Sequence, residues 1–392
     1  RALLPLQGRA AGGQYEYFLF KESNGNWYLR SRLDDDTGPS PDPCRDTPAL
    51  CEITLPVEDD ITVDPGTPEG GDEVTLPVLP DIIVDPPKPT PEPVLRPETG
   101  AYLANNAAMG RLMQYRAGDR GAVSNDDGLR SWASVDAGER RMDAIGQQAL
   151  KADHSRVQIG ADIGVFDGGN GRVGALLSAG RADITSRSSV TGYHAQGEVR
   201  GGGFGVYVGW DNGASFAEAS VQQGRFRNQV QGDGLEVERY SARVSKVSME
   251  AGHGFDAGHA GGVALTLQPE FELSYTGTAM DVYVESNGTV VERVGGDGLR
   301  ARLGVRVLGE VEQPGRARLY GSVHVIDDGA APRLSFDGEV LEGGAPRRSV
   351  ELGAGAQLQL GDGVSVWGGL NFGRGSDRYR ELGGKVGLAY RW

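Results

Sequence analysis

The sequence has no uninterrupted apolar run approaching the ~20 residues that a membrane-spanning helix requires. With 38% hydrophobic residues and 62 glycines, it excludes a helical membrane protein. A barrel escapes that argument, because a spanning strand needs only about 10 residues and carries its apolar side chains on alternate positions. Basic residues are also in deficit: 39 Lys and Arg against 54 Asp and Glu leave a net charge of -15. A nucleic-acid partner is therefore not expected, since binding phosphate requires clustered cations that release counterions. Cysteine is confined to Cys44 and Cys51, in a Pro/Asp-rich stretch. That usage suits an oxidising compartment and a small disulfide-closed loop, with two independent thiols as the other reading. The chain opens on Arg1 rather than Met, so a piece of a longer protein is expected.

What is present changes character along the chain, with borders near 1–36, 37–98, 99–124 and 125–392. In YEYFLFKESNGNWYLRSRL, Tyr15 to Leu33, two aromatic-rich alternating runs flank Asn24-Gly25, which reads as a β-hairpin. From there to Pro97 the chain is dense in Pro, Asp, Glu and Gly and cannot bury enough apolar surface to fold alone. Inside this linker EITLPVEDDITVDP, Glu52 to Pro65, recurs as EVTLPVLPDIIVDP, Glu73 to Pro86. Two copies are too few for a solenoid, and acidic, proline-rich chain behaves as an extended, semi-rigid spacer.

The stretch GAYLANNAAMGRLMQYRAG, residues 100–118, is dominated by Ala, Leu and Met and favours helix, with Thr99 as a candidate N-cap. Residues 101–118 as a helix would reach ~27 Å, close to the hydrocarbon thickness of a bilayer. Because it carries Asn105, Asn106, Arg111, Gln114 and Arg116, it suits a polar, water-lined interior rather than lipid.

From Gly128 onward the period is two, the pattern of half-buried strands. Twelve are expected, near 128–139, 153–166, 171–187, 198–212, 214–230, 238–255, 262–279, 297–312, 316–337, 347–361, 363–375 and 382–392. Most exceed the five or six residues usual in a sandwich. Their alternate face also carries Arg300, Arg302, Arg306, Glu310, Lys246, Glu250, Glu270 and Glu272, which a dry core rejects and a polar lumen accepts. Tyr207, Trp210, Phe216, Trp367, Phe372, Tyr390 and Trp392 lie near strand ends, where aromatic rings settle at the headgroup level. The fold class is thus all-β: a 12-stranded antiparallel transmembrane barrel plugged by a helix.

Several of these stretches together resemble the C-terminal translocator unit of monomeric autotransporters, the type V secretion family of Gram-negative bacteria. YEYFLFKESNGNWYLRSRL is similar to the last hairpin of a pertactin-like passenger, an autochaperone. RPETGAYLANNAAMGRL resembles the family's linker-to-helix junction, and VQIGADIG, QPEFELSY and VGLAYRW resemble its barrel strands. The resemblance implies a monomer in the outer membrane that exports its own passenger to the cell surface. It implies outer-membrane lipid, the barrel assembly machinery and periplasmic chaperones as partners, and no cofactor or metal. In the family an aromatic C-terminus, usually Phe, marks the barrel for assembly. Here Val386, Leu388, Tyr390 and Trp392 share one face of the last strand, with plain lipid contact as the alternative.

Some members release the passenger when an Asn side-chain amide attacks its own backbone carbonyl inside the barrel. Nearby carboxyl groups must polarise that poor nucleophile, and the barrel must hold the attack geometry. The resemblance offers Asn105/Asn106 and Asn106/Ala107 as scissile bonds, with Glu250 and Glu272 as lumen acids. Glu218 matches the family's third acid only after a one-residue shift. The alternative is that these acids pair with lumen arginines and the asparagines line the plug. Any enzymatic activity is at most one such self-cleavage. GNGRVG, Gly169 to Gly174, fits a dinucleotide glycine pattern but joins two strands, so it reads as a tight turn. A passive porin and a barrel protease are the rival functions. The porin conflicts with the plugging helix, and His154, His194, His253, His259 and His324 show no spacing that gathers them for a protease.

Overall fold

The protein was analysed as a computed structural model that describes residues 9–33, 92–121, 128–311, 317–361 and 363–392. The repeat-bearing linker and both cysteines lie outside the described residues. Two compact units divide the rest: residues 18–33 and 92–93 belong to the smaller, residues 9–17 and 94–392 to the larger.

The chain begins with β1 (Ala10–Gly12), β2 (Tyr15–Lys21) and β3 (Trp27–Arg30). β2 and β3 form the hairpin expected around Asn24-Gly25, pairing Phe18 with Arg30 through Lys21 with Trp27. The turn is wider than two residues. Gly25 takes a left-handed φ of 85°, which costs a glycine nothing, and the Asn24 side chain accepts a 2.8 Å bond from the Asn26 amide.

Helix α1 (Pro97–Leu112) follows. It starts two residues before the expected cap, because Pro97 presets the first helical φ and lacks only an amide that would be unsatisfied there anyway. The N-cap is Arg96, while the Thr99 hydroxyl donates back to the Arg96 carbonyl at 2.8 Å. The helix also stops earlier than expected, at Met113, and a 3₁₀ turn over Ala117–Arg120 follows. No helix among the described residues is long and apolar enough to cross a membrane.

Twenty strands are described in all. β4 (Leu129–Ala144), β5 (Gln148–Phe166), β6 (Gly171–Ser188), β7 (His194–Asp211), β8 (Ser215–Gly232) and β9 (Val237–His253) run up and down in sequence. Short β10 (Phe255–Ala260) leads into β11 (Val263–Met280). β12 (Tyr283–Val284) and β13 (Val290–Gly295) precede β14 (Gly298–Val311) and β15 (Ala317–Asp328). β16 (Arg333–Phe336) and β17 (Glu339–Glu342) precede β18 (Arg348–Gln359), β19 (Val364–Gly375) and β20 (Arg380–Arg391). The sheet β4-β5-β6-β7-β8-β9-β11-β14-β15-β18-β19-β20 is antiparallel throughout, and β20 pairs back onto β4. It is a closed barrel of twelve strands, and closure removes the edges that an open sheet would leave unpaired.

One expected strand is corrected. The run 316–337 is β15 followed by β16, because Gly329-Ala330-Ala331-Pro332 interrupts it and Pro332 cannot donate to a ladder. β12, β13, β16 and β17 form a separate four-stranded sheet built from the two long connections, 281–297 and 329–347. Both connections leave the same rim, and longer loops mark the outer side of such barrels. The opposite rim carries short turns such as 167–170, where GNGRVG does make the strand-to-strand turn, with Gly168 and Gly169 at positive φ.

The outward positions are apolar: Ile159, Leu177, Phe204, Val206, Val221, Leu303, Leu370 and Val386 are all exposed, as a lipid-facing surface demands. Of the seven aromatics expected in the headgroup belt, three turn inward. Tyr207 is buried, Trp367 packs against the cluster around it, and Phe216 would touch a side chain added at lumen-facing Gly252. Their parity explains this, since Tyr207 alternates with outward Val206 and Val208.

Candidate functional site: the plugged lumen

Inside the barrel, 13 residues of α1 are buried, on every face rather than on one stripe. Ala104, Ala108, Met109, Leu112 and Met113 pack against Leu150, Ile184, Val199, Phe226 and Val244 of the wall. Small wall residues make the room: a Cβ on Gly197 would lie 2.5 Å from the Asn105 side-chain oxygen, and one on Gly224 would lie 2.6 Å from the Met113 sulfur.

At the outer rim, Gln148 Nε2 donates to the Arg96 carbonyl at 2.7 Å and to Thr99 Oγ1 at 3.0 Å. Tyr102 stacks near Tyr240 and Phe336, with centroids 5.3 and 5.8 Å away, which joins the helix to the capping sheet. Arg96 pairs with Glu285 at 2.7 Å. Burial pushes the Glu285 carboxyl above the usual carboxylate range, and Arg96 opposes the shift.

From the last turn of the helix downward the contacts become ionic. Arg111 pairs with Glu381, and Arg156 holds the Gln114 carbonyl and Asp136. Arg116 reaches Glu272 at 3.0 Å and Glu351 at 3.4 Å, the Ala117 amide donates to Glu250 at 2.9 Å, Arg120 pairs with Glu218, and Lys385 pairs with Asp119. Of the eight lumen charges expected from sequence, Lys246, Glu250, Glu270, Glu272 and Arg302 are buried here, Arg300 and Arg306 are half-buried, and Glu310 is exposed. Glu270 also accepts from His324 at 3.1 Å.

The three candidate acids do converge. Cross-strand register sets Glu218 opposite Glu250 and Glu250 opposite Glu272, one row across β8, β9 and β11. The row faces Arg116 and Ala117, however, and not the asparagines. Asn105 is fully buried at the other end, where its Nδ2 donates to the Gln229 carbonyl at 3.1 Å and to Tyr240 Oη at 3.4 Å. Gln229 and Glu218 are eleven positions apart on β8, about 36 Å of strand at ~3.3 Å per residue. Tyr240 and Glu250 are ten apart on β9, about 33 Å by the same rise. Asn106 is also buried, and its Nδ2 has no hydrogen-bond partner among the described residues. The expectation that Glu218, Glu250 and Glu272 polarise Asn105 or Asn106 is therefore corrected: the row lies too far away. The three acids share one cross-strand row, while the depth of the helix beside it is not written in their motifs.

Sequence reasoning missed a second cluster near the inner rim. The Asp162 side chain is fully enclosed and accepts from Arg130 at 2.7 Å, Arg172 at 2.5 Å and Tyr207 at 2.7 Å, with Arg120 at 3.7 Å. Trp132 Nε1 donates to Tyr207 Oη at 2.8 Å. The signal was available, because Asp162 sits on the inward parity of β5 between Ala161 and Ile163.

On the last strand, Val386, Leu388, Tyr390 and Trp392 are all exposed on the outer face, with the last two rings edge to face at 4.9 Å. The five histidines lie on five different strands, β5, β7, β9, β10 and β15, and share no site.

Residues 131–371, more than half of the chain, match the family model described as autotransporter beta-domain. The chain belongs to the autotransporter family. The autotransporter barrel is accordingly one of the outer membrane of a Gram-negative bacterium. Three Escherichia coli relatives are similar to it. The uncharacterized protein YuaQ is 27% identical over 76% of this chain and 24% of its own length. The uncharacterized protein YdeU is 25% identical over 98% of this chain and 82% of its own. The autotransporter adhesin AIDA-I is 26% identical over 75% of this chain and 25% of its own. This chain thus spans only about a quarter of two of them. Among solved structures, the transport unit of AIDA-I from Escherichia coli aligns with a TM-score of 0.67 at 22% identity, over 76% of this chain and 99% of that one. The translocator domain of NalP from Neisseria meningitidis aligns at 0.54 and 17%, over 75% and 94%. At these identities the likeness is one of fold.

Proposed function

We propose that this chain is an outer-membrane translocator that exports the polypeptide on the N-terminal side of its own helix to the cell surface. The observation that carries the reading is the path of the chain. It is fixed at the outer rim by Arg96 and Gln148, descends the closed lumen as α1, and turns into β4 at the inner rim. Everything before Arg96 is then delivered outside by the act of placing this segment. The glutamate row supports the same reading in a structural role, anchoring the foot of the plug through Arg116, Ala117 and Arg120. Barrel assembly machinery and periplasmic chaperones are the partners assigned to a twelve-stranded barrel whose last strand carries Val386, Leu388, Tyr390 and Trp392 outward, and outer-membrane lipid is its solvent. The hairpin at 15–33 is assigned the autochaperone role.

The test is proteinase treatment of intact cells that display the chain, followed by detection of both ends. Loss of an N-terminal tag with survival of a heat-modifiable barrel is expected. A tag protected until the cells are broken would overturn the reading.

Self-cleavage at Asn105/Asn106 or Asn106/Ala107 is a second reading, favoured by the complete burial of Asn105 and the two acceptors that orient its Nδ2. In this arrangement it would proceed without the glutamate row. Mass spectrometry of the barrel band decides it: a mature N-terminus at Asn106 or Ala107 supports scission, and intact sequence through Ala107 rejects it.

A further inference from the structure

The chain approaches the barrel mouth twice, first at residues 9–17 and again at residues 94–98, and the two passes are bonded to each other. The Glu16 amide donates to the Val94 carbonyl at 2.9 Å, and the Arg96 amide donates to the Gln14 carbonyl at 3.1 Å. Between them lies the Tyr15–Leu95 bridge. Arg96 Nε adds a bond to the Gly13 carbonyl at 2.7 Å. Arg9 sits between two carboxylates, Glu16 at 2.5 Å on its own strand pair and Glu98 at 2.6 Å in the first turn of α1. The side chains of all three are at most 4% exposed.

The earlier pass also grips the barrel itself, through four separate connections of the outer rim. Arg9 stacks on Tyr193, 4.7 Å from the ring centre, and donates to the Asp233 carbonyl at 3.2 Å. The Gly13 amide donates to Thr289 Oγ1 at 2.9 Å, and Asn287 donates to the Ala11 carbonyl at 3.3 Å. Gln14 Nε2 donates to Glu339 at 2.5 Å.

We infer that residues 9–17 are a clasp at the barrel's outer rim, which holds the chain at Tyr17 and the chain at Val94 side by side and anchors both to the rim. The physical ground is twofold. Main-chain pairing sets the register of the two passes, and a buried guanidinium shared by two carboxylates is stable only while both strands supply their partners. A pull on residues upstream of Arg9 therefore loads the clasp first. The inference rests on the export reading only for the side of the membrane on which the clasp lies.

The experiment uses the full chain in outer membranes, with Cys44→Ser and Cys51→Ser as background and Ala11→Cys with Asn287→Cys as the reporting pair. A short bis-maleimide should cross-link most of the double-substituted chains. Arg9→Glu should reduce that yield several-fold, and adding Glu98→Arg should restore much of it. A yield no higher than that of the Asn287→Cys chain alone, in barrels that keep their heat-modifiable mobility, overturns the clasp. So does a yield that Arg9→Glu leaves unchanged. A failed export reading looks different, since the N-terminal tag would then be protected on intact cells whatever the cross-link shows.

Discussion

Asp162 gathers several side chains of the inner rim around one carboxylate. Its carboxylate is shared by Arg130 and Arg172 and approached by Arg120, so its removal takes from the buried Arg130 the carboxylate it is paired with. Breaking a buried pair from one side costs about 3–5 kcal/mol. Asp162→Asn is expected to lose that order of stability, seen as a lower temperature for loss of the compact band on unheated gels. Gly197→Ala tests the tightness of the lumen at a single carbon, because its methyl would stand 2.5 Å from the Asn105 oxygen. Overpacking of this kind costs about 1–3 kcal/mol, and the same gel assay reads it. Trp392 is a different case. It is exposed and bonds only at the strand end, where Nε1 donates to Ser131 at 2.9 Å. Trp392→Asp separates assembly signal from lipid contact: a several-fold loss of inserted barrel supports the signal, whereas normal insertion with slightly lower stability supports the contact.

The elements differ in how they are held. The top of α1 is bound by polar and aromatic contacts, its middle by apolar packing, and the chain below it by ions. Arg116→Glu would place a third carboxylate beside Glu272 and Glu351. It should free the foot while the top stays seated, and planar-bilayer recordings should show brief openings absent from the parent chain. Deletion of residues 99–121 should give a steady, larger conductance, and an unchanged current would mean that the segment does not block the pore.

Elements also differ in legibility. The twelve strands could be read because period two is written in their own residues, outward Val157 and Ile159 alternating with inward Arg156 and Gln158. The capping sheet could not, because β12, β13, β16 and β17 are two to six residues long and are stabilised by Tyr102 and Tyr240 from elsewhere in the chain. The acids were legible as a row, since period two and strand order place them. The asparagines' distance from that row was not, because it depends on how far down the lumen the helix is set, and the segment is held at both ends, by Gln148 on Arg96 above and by Arg116 on Glu272 below.

At the scale of the whole molecule, the described residues form a barrel, a plug and a clasped N-terminal segment, and the export reading assigns the last of these to the outside. Deleting residues 15–33 from the full-length protein should leave the barrel inserted and the exported part misfolded and protease-sensitive. A resistant, normally folded exported part would remove the autochaperone role from this hairpin.

The seam between β20 and β4 carries a further consequence, one of timing. It joins Ser131 to Trp392, 261 residues apart, and pairings of such long range form slowly because a large loop must be closed before any contact rewards it. Until then β4 and β20 present bare edges, the kind of template on which chains aggregate. The plug precedes β4 in sequence, so it is already available while the cylinder is still an open sheet. A barrel that closes last around a helix laid in first needs no moment at which a finished pore stands empty.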